Sequence, residues 1–195
     1  MRILVLYAHP VETSFVGGLH AALVETLRAG GHAVDDCDLY AENFDPVMSR
    51  QERLDYHDTA LNRRLVDDHA RRLQAAEALV LVHPVWNYGF PAILKGYVDR
   101  VLIPGVAFDL DAEGNLAFRL RHVRKLAAVC TYGGDRFRTY LAGDPPKRFF
   151  RRALRVQMAR GADCDYLALH DMNHTTPARR AAFVAKVQRR FSEWD

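Results

Sequence analysis

The chain has 195 residues, 49% of them apolar and 26% charged, with a formal net charge of +3. That length and balance describe one globular domain over 1–195, able to bury a full core, and exclude a disordered or fibrous chain. No apolar run approaches the roughly 18 residues of a membrane span, no secretory pattern opens the chain, and the three cysteines (Cys37, Cys130, Cys164) form no C-x-x-C pair, so a cytoplasmic protein with reduced thiols is expected.

Ile3 to Tyr7 is an uninterrupted apolar run, short enough for a strand buried on both faces of a parallel sheet. His9-Pro10 ends it, because proline cannot donate to a ladder and drives the preceding residue into an extended conformation. Thr13 and Ser14 bring hydroxyls to the start of a helix over Phe15–Ala29, where unpaired N–H groups and the local field favour an anion. Gly30-Gly31 stops that helix. Ala33–Leu39 predicts a second strand, and its acidic DDCD centre places it at an edge. Tyr40–Ser49 reads as loop and Arg50–Ala76 as one or two charged helices.

Ala78–Pro84 is the next fully apolar strand, and Pro91–Leu102 a helix with its proline in the first turn. Phe108–Phe118 alternates about Glu-Gly-Asn, the pattern of a small hairpin. Leu126–Cys130 predicts another buried strand, followed by TYGGD. Pro145–Arg160 reads as a basic helix, Tyr166–His170 as an apolar strand and Pro177–Trp194 as the closing helix. Five strands alternating with helices imply an α/β fold, a doubly wound parallel sheet of order 2-1-3-4-5 with helices on both faces. Its ligand belongs at the carboxyl ends of the strands beside the switch point.

Three strand-end loops then converge: HPVETSF (His9–Phe15), HPVWNYGFPA (His83–Ala92) and TYGGD (Thr131–Asp135). The first offers hydroxyls for a phosphate, and the second offers Trp86 and Tyr88 as flat apolar walls for a ring system. In the third, Gly133 and Gly134 permit close backbone approach and aim N–H donors at a carbonyl or ring nitrogen. Phosphate end, stacking wall and donor edge together describe a flavin site. His170 and His174 straddle a strand end, where their spacing brings no side chains together, so no metal site is expected. Between Arg119 and Arg160 lie 12 Lys or Arg against two Asp. Without zinc-finger spacing or an aromatic RNA-binding signature, this charge reads as a solvated helix face rather than a nucleic-acid surface; a polyanionic partner or the phosphates of a nicotinamide dinucleotide are the other readings.

The segments AHPVETSF (Ala8–Phe15), DLYAENFDPVMS (Asp38–Ser49), PVWNYGFPAILKGYVDRVL (Pro84–Leu102) and TYGG (Thr131–Gly134) resemble the NAD(P)H:quinone oxidoreductase family of flavodoxin-like flavoproteins. That family includes the ancillary oxidoreductase subunits of bacterial potassium efflux systems. The resemblance runs to about Gly134 and weakens beyond it. It implies a non-covalent flavin, FAD with FMN as the alternative, NAD(P)H as reductant, a homodimer with sites at its interface, and two-electron reduction of quinone-like acceptors by a ping-pong hydride relay. It places His9, Thr13, Ser14 and Phe15 at the phosphate and ribityl chain. Pro84, Val85, Trp86, Asn87 and Tyr88 fall along the isoalloxazine, and Thr131, Tyr132, Gly133 and Gly134 at its pyrimidine edge. Gly133 and Gly134, with Tyr132, Tyr140 or Arg136 beside them, are the candidates for stabilising charge on the reduced ring.

The chain departs from the family pattern after TYGG, where DRFRTYLAGDPP holds Tyr140 one place out of register and no histidine. Asn87 stands where mammalian members have an aromatic residue, and Val16 where they have a polar one. The alternatives are a flavin-binding regulatory subunit of a membrane transport system, or a reductase of azo or nitro compounds.

Overall fold

The computed structural model describes all 195 residues. In chain order its elements are β1 (Arg2–Tyr7), α1 (Phe15–Ala29), β2 (Ala33–Asp38), α2 (Arg50–Asp55), α3 (Asp67–Ala75), β3 (Ala78–Val85), α4 (Ala92–Val101), β4 (Phe108–Leu110), β5 (Leu116–Phe118), β6 (Lys125–Tyr132), α5 (Arg136–Leu141), α6 (Pro145–Arg148), β7 (Asp163–Leu169) and α7 (Pro177–Ser192). Five strands form one parallel sheet in the order β2-β1-β3-β6-β7, which is 2-1-3-4-5 when the β4–β5 hairpin is set aside.

Alternation along the strands divides the core between two faces. Ile3, Val5 and Tyr7 of β1, with Val80 and Val82 of β3, pack under Leu19 and Leu23 of α1 and Phe183 and Phe191 of α7. Leu4, Leu6, Leu79 and Leu81 face the opposite way, toward Leu73 of α3, Tyr97 of α4 and Phe150. β2 lies at the edge as its acids predict. Asp35 pairs with Arg72 of α3 at 2.7 Å and Asp36 with His20 of α1 at 2.7 Å.

α4 is pressed onto the loop after β2. A Cβ on Gly96 would lie 2.4 Å from Pro46 backbone atoms, so only glycine permits this approach. Four residues on, Arg100 is buried and holds Glu52 of α2 at 2.6 Å, while also donating to the Asp45 carbonyl. Glu52 completes a capping box with Ser49. Burial pushes its carboxyl up, but the Ser49 N–H and the Arg100 guanidinium outweigh that and leave it below its ordinary value.

The basic segment differs from the single helix predicted over Pro145–Arg160. It starts as α6, widens into a π-helical stretch over Phe149–Leu154 and tightens to a 3₁₀ turn at Arg155–Gln157. Its buried residues are Pro146, Phe150, Leu154 and Met158, spaced by four. A 3.6-residue turn would rotate that row away from the core, and a wider turn keeps it in line. α5 is an element the sequence reading omitted; the Asp135 carboxylate caps it, accepting from Arg138 N at 2.8 Å. No helix is long and apolar enough to cross a membrane.

Candidate functional site

The loop after β1 begins with Ala8, whose N–H donates to Val82 O at 3.0 Å and carries the ladder past the strand end. His9 Nδ1 sits 3.0 Å from the Val11 backbone nitrogen and holds the imidazole against the turn. Ser14 caps α1, its Oγ accepting from Gly17 N at 3.1 Å. A Cβ on Gly17 would lie 2.2 Å from Glu12 O, so glycine is what lets the loop fold onto the helix start. The N–H groups of Thr13, Phe15 and Val16 make no hydrogen bond within the chain. Three free donors at the head of a 15-residue helix fit a phosphate. Arg180 of α7 adds charge there, its guanidinium 5.7 Å over the Phe15 ring. Arg180 carries no sequence signal, because only the packing of α7 against α1 brings it to this loop.

The loop after β3 turns back sharply. Trp86 and Gly89 exchange two backbone hydrogen bonds of 3.1 and 2.8 Å across Asn87 (φ 49°) and Tyr88 (φ 57°). Two consecutive left-handed residues make this a type I′ turn. Trp86 and Tyr88 are left 42% and 38% exposed, unusual for aromatics and suited to a stacking wall. The Trp86 and His9 rings lie 5.9 Å apart, so the first two loops touch. Beneath them His83 is fully buried, its Nδ1 donating to Pro84 O at 2.8 Å and its ring edge-on to Phe90. Burial pulls its pKa down to about 4, against the opposing effect of that hydrogen bond.

The loop after β6 closes the third side. A Cβ on Gly134 would sit 3.6 Å from the Tyr88 hydroxyl, which brings the aromatic and glycine loops together. Gly134 O accepts from Asp171 N at 2.9 Å, tying in the loop after β7. The Gly133 and Gly134 N–H groups have no partner in the chain and remain free to donate outward.

His9, Thr13, Ser14, Phe15, Trp86, Asn87, Tyr88, Gly133 and Gly134 thus line the three loops at the strand ends. Pro84 and Val85 are buried inside β3, paired in register with Thr131 and Tyr132, so these four reach the crevice through their backbone and not their side chains. Tyr132 is 2% exposed; its hydroxyl donates to Asp144 at 2.7 Å, lies 2.5 Å from the Tyr166 hydroxyl, and its ring stacks on His170. Burial, then the neighbouring Cys130, push that phenol well up, so it stays protonated at neutral pH. Tyr140 is 79% exposed on α5 and borders a neighbouring cleft instead of the aromatic turn.

The chain is 38% identical over 109 residues to an uncharacterized NAD(P)H oxidoreductase of Haemophilus influenzae, a match covering 55% of this chain and 54% of that protein. It is 34% identical over 125 residues to the ribosyldihydronicotinamide dehydrogenase [quinone] of Pongo abelii, covering 56% and 54%. In each case the match spans about half the relative's length. The NAD(P)H:quinone oxidoreductase structure from Methanothermobacter marburgensis superposes with a TM-score of 0.84 at 24% identity, over 100% of this chain and 99% of that one, and so shares the fold. A family model described as flavodoxin-like fold matches residues 1–193, and the chain belongs to that family.

Proposed function

We propose that this chain is a flavin-dependent NAD(P)H oxidoreductase that delivers hydride to quinone-like acceptors. The observation that carries the reading is the meeting of three loops: free N–H groups at the head of α1, the exposed Trp86–Tyr88 wall, and free N–H groups at Gly133 and Gly134 within reach of Tyr88. These donors and this wall match a phosphate, a planar ring and a polar ring edge in that order. A bound flavin supplies the hydride-transfer chemistry, with FAD as the first choice and FMN as the alternative.

The residues divide the remaining work. Thr13, Phe15 and Val16 hold the phosphate through backbone donors and the α1 dipole, with the Ser14 hydroxyl beside them and Arg180 adding charge. Trp86, Asn87 and Tyr88 fix the plane of the ring. Gly133 and Gly134 direct N–H groups at the atoms where negative charge develops on reduction, in the manner of an oxyanion hole. Tyr132 acts as a positioning residue, locking the glycine loop through Asp144, Tyr166 and His170. The open side of the crevice admits reductant and acceptor in turn, which is a ping-pong order. A homodimer with sites at its interface, from the family resemblance, and a cytoplasmic location, from the scattered cysteines, belong to the same proposal.

The test is to load the purified protein with FAD or FMN and follow oxidation of NADPH and NADH with menadione. Rapid oxidation that needs both flavin and quinone is expected. Tight flavin binding without turnover would move the reading to a regulatory subunit, and absence of flavin binding would overturn it.

A further inference from the structure

Beside α5 and Gly143 the surface opens into a cleft of about 590 Å³ against β7, the edge strand of the sheet. Arg136 of α5, Lys147 and Arg148 of α6, Arg151 and Arg152 of the π-helical stretch, and Lys186 of α7 all line it. None of these six cations forms an ion pair, although Arg63, Arg71, Arg72, Arg100, Arg119, Arg124 and Arg190 elsewhere each do. None makes a side-chain hydrogen bond within the chain either. The one acid in the lining, Asp144, accepts from the Tyr132 hydroxyl and forms no ion pair with them.

Six unpaired cations from four elements, focused into a concavity, repel one another and so lower the stability of the fold. A bound polyanion would relieve that repulsion. The cleft also has an organic lining: Tyr166 and Ala168 form its floor, and Tyr140 stands at its rim. Lys147 lies 5.8 Å over the Tyr166 ring, which keeps the ammonium at the floor. Its volume falls within the roughly 300–1,000 Å³ of small-molecule sites. Planar guanidinium forks match phosphate oxygens, and an exposed tyrosine matches an aromatic base.

We propose that this cleft binds a nucleotide carrying two phosphate groups, its phosphates on the arginine and lysine side chains and its base against Tyr140. Two sources supply that chemistry: the adenosine half of a phosphorylated nicotinamide dinucleotide, an assignment that rests on the proposed redox function, or a free nucleotide acting as an effector.

Calorimetric titration of the full chain with adenosine 2′,5′-bisphosphate, against adenosine alone, tests the proposal. Binding of the bisphosphate is expected, weakening as salt rises, with no measurable binding of adenosine. Arg148→Gln combined with Arg151→Gln should weaken it at least tenfold, and Arg189→Gln on α7, outside the cleft, less than twofold. Equal losses in both variants, binding of an oligonucleotide or anionic vesicles but not the bisphosphate, or no binding, would each overturn the proposal. Competitive displacement of the bisphosphate by NADPH, with a raised KM for NADPH in the double variant, assigns the site to the reductant. Displacement by ADP with an unchanged KM assigns it to an effector. Wild-type turnover with a phosphate-free dihydronicotinamide riboside reports the flavin reaction separately, so failure of that reading is distinguishable from failure of this one.

Discussion

The two edges of the sheet treat charge in opposite ways. At the β2 edge each acid has a partner: Asp35 and Glu42 share Arg72 at 2.7 Å each, Asp36 meets His20, and Asp38 accepts from the Tyr40 N–H. At the β7 edge Asp165 is matched by Arg190, but beyond it six cations crowd one cleft unanswered. Paired charge at the first edge clamps a strand with acidic side chains onto the fold. Unpaired charge at the second does nothing for the fold, and its cost is offset only when an anion arrives.

Removing partners from paired charges should therefore destabilise, and removing unpaired charges should not. The largest effect is expected at the buried pair: Glu52→Ala strands the Arg100 guanidinium and should cost about 3–5 kcal/mol in urea denaturation. The pH dependence adds a case at the centre of the sheet. The folded pKa of His83 lies at about 4, below its unfolded value near 6.5, so the unfolded chain takes up the proton first. Its contribution is fully present above about pH 6.5 and is lost as pH falls toward 4, a change on the order of 3 kcal/mol. His83→Phe should flatten that slope in denaturation curves taken across the window. Arg72→Met, at the half-buried β2 edge, should cost about 1–3 kcal/mol by leaving Asp35 and Glu42 unpaired. Arg152→Gln at the other edge should change stability by less than about 0.5 kcal/mol, or raise the thermal midpoint slightly. A loss of 2 kcal/mol there would erase the contrast between the edges.

The strand order was legible because β1, β3 and β6 are short apolar runs, β7 ends in one, and β2 carries acids through its centre. The three loops were legible because Pro10, Trp86 and the Gly133-Gly134 pair stand at the ends of those runs. Tyr132 was less so: β6 runs two residues past Cys130, and that extension turns the Tyr132 side chain into the layer beneath the crevice. α5 was missed although Asp135 offers a capping side chain, because six polar-rich residues after a glycine pair read equally well as loop. Arg180 beside the loop after β1 and the cation cleft both depend on tertiary packing across distant segments. A run of arginines announces its charge in sequence, but whether acids will be folded against it does not show there.

The turn at Asn87 and Tyr88 is closed by main-chain bonds between Trp86 and Gly89 alone. Its shape is therefore set independently of what the two central side chains are, provided they tolerate a left-handed backbone. The wall of the crevice behaves as a fixed frame with two interchangeable panels. Exchanging residues at those two positions changes the surface the wall presents while leaving the sheet, the helix caps and the other loops untouched.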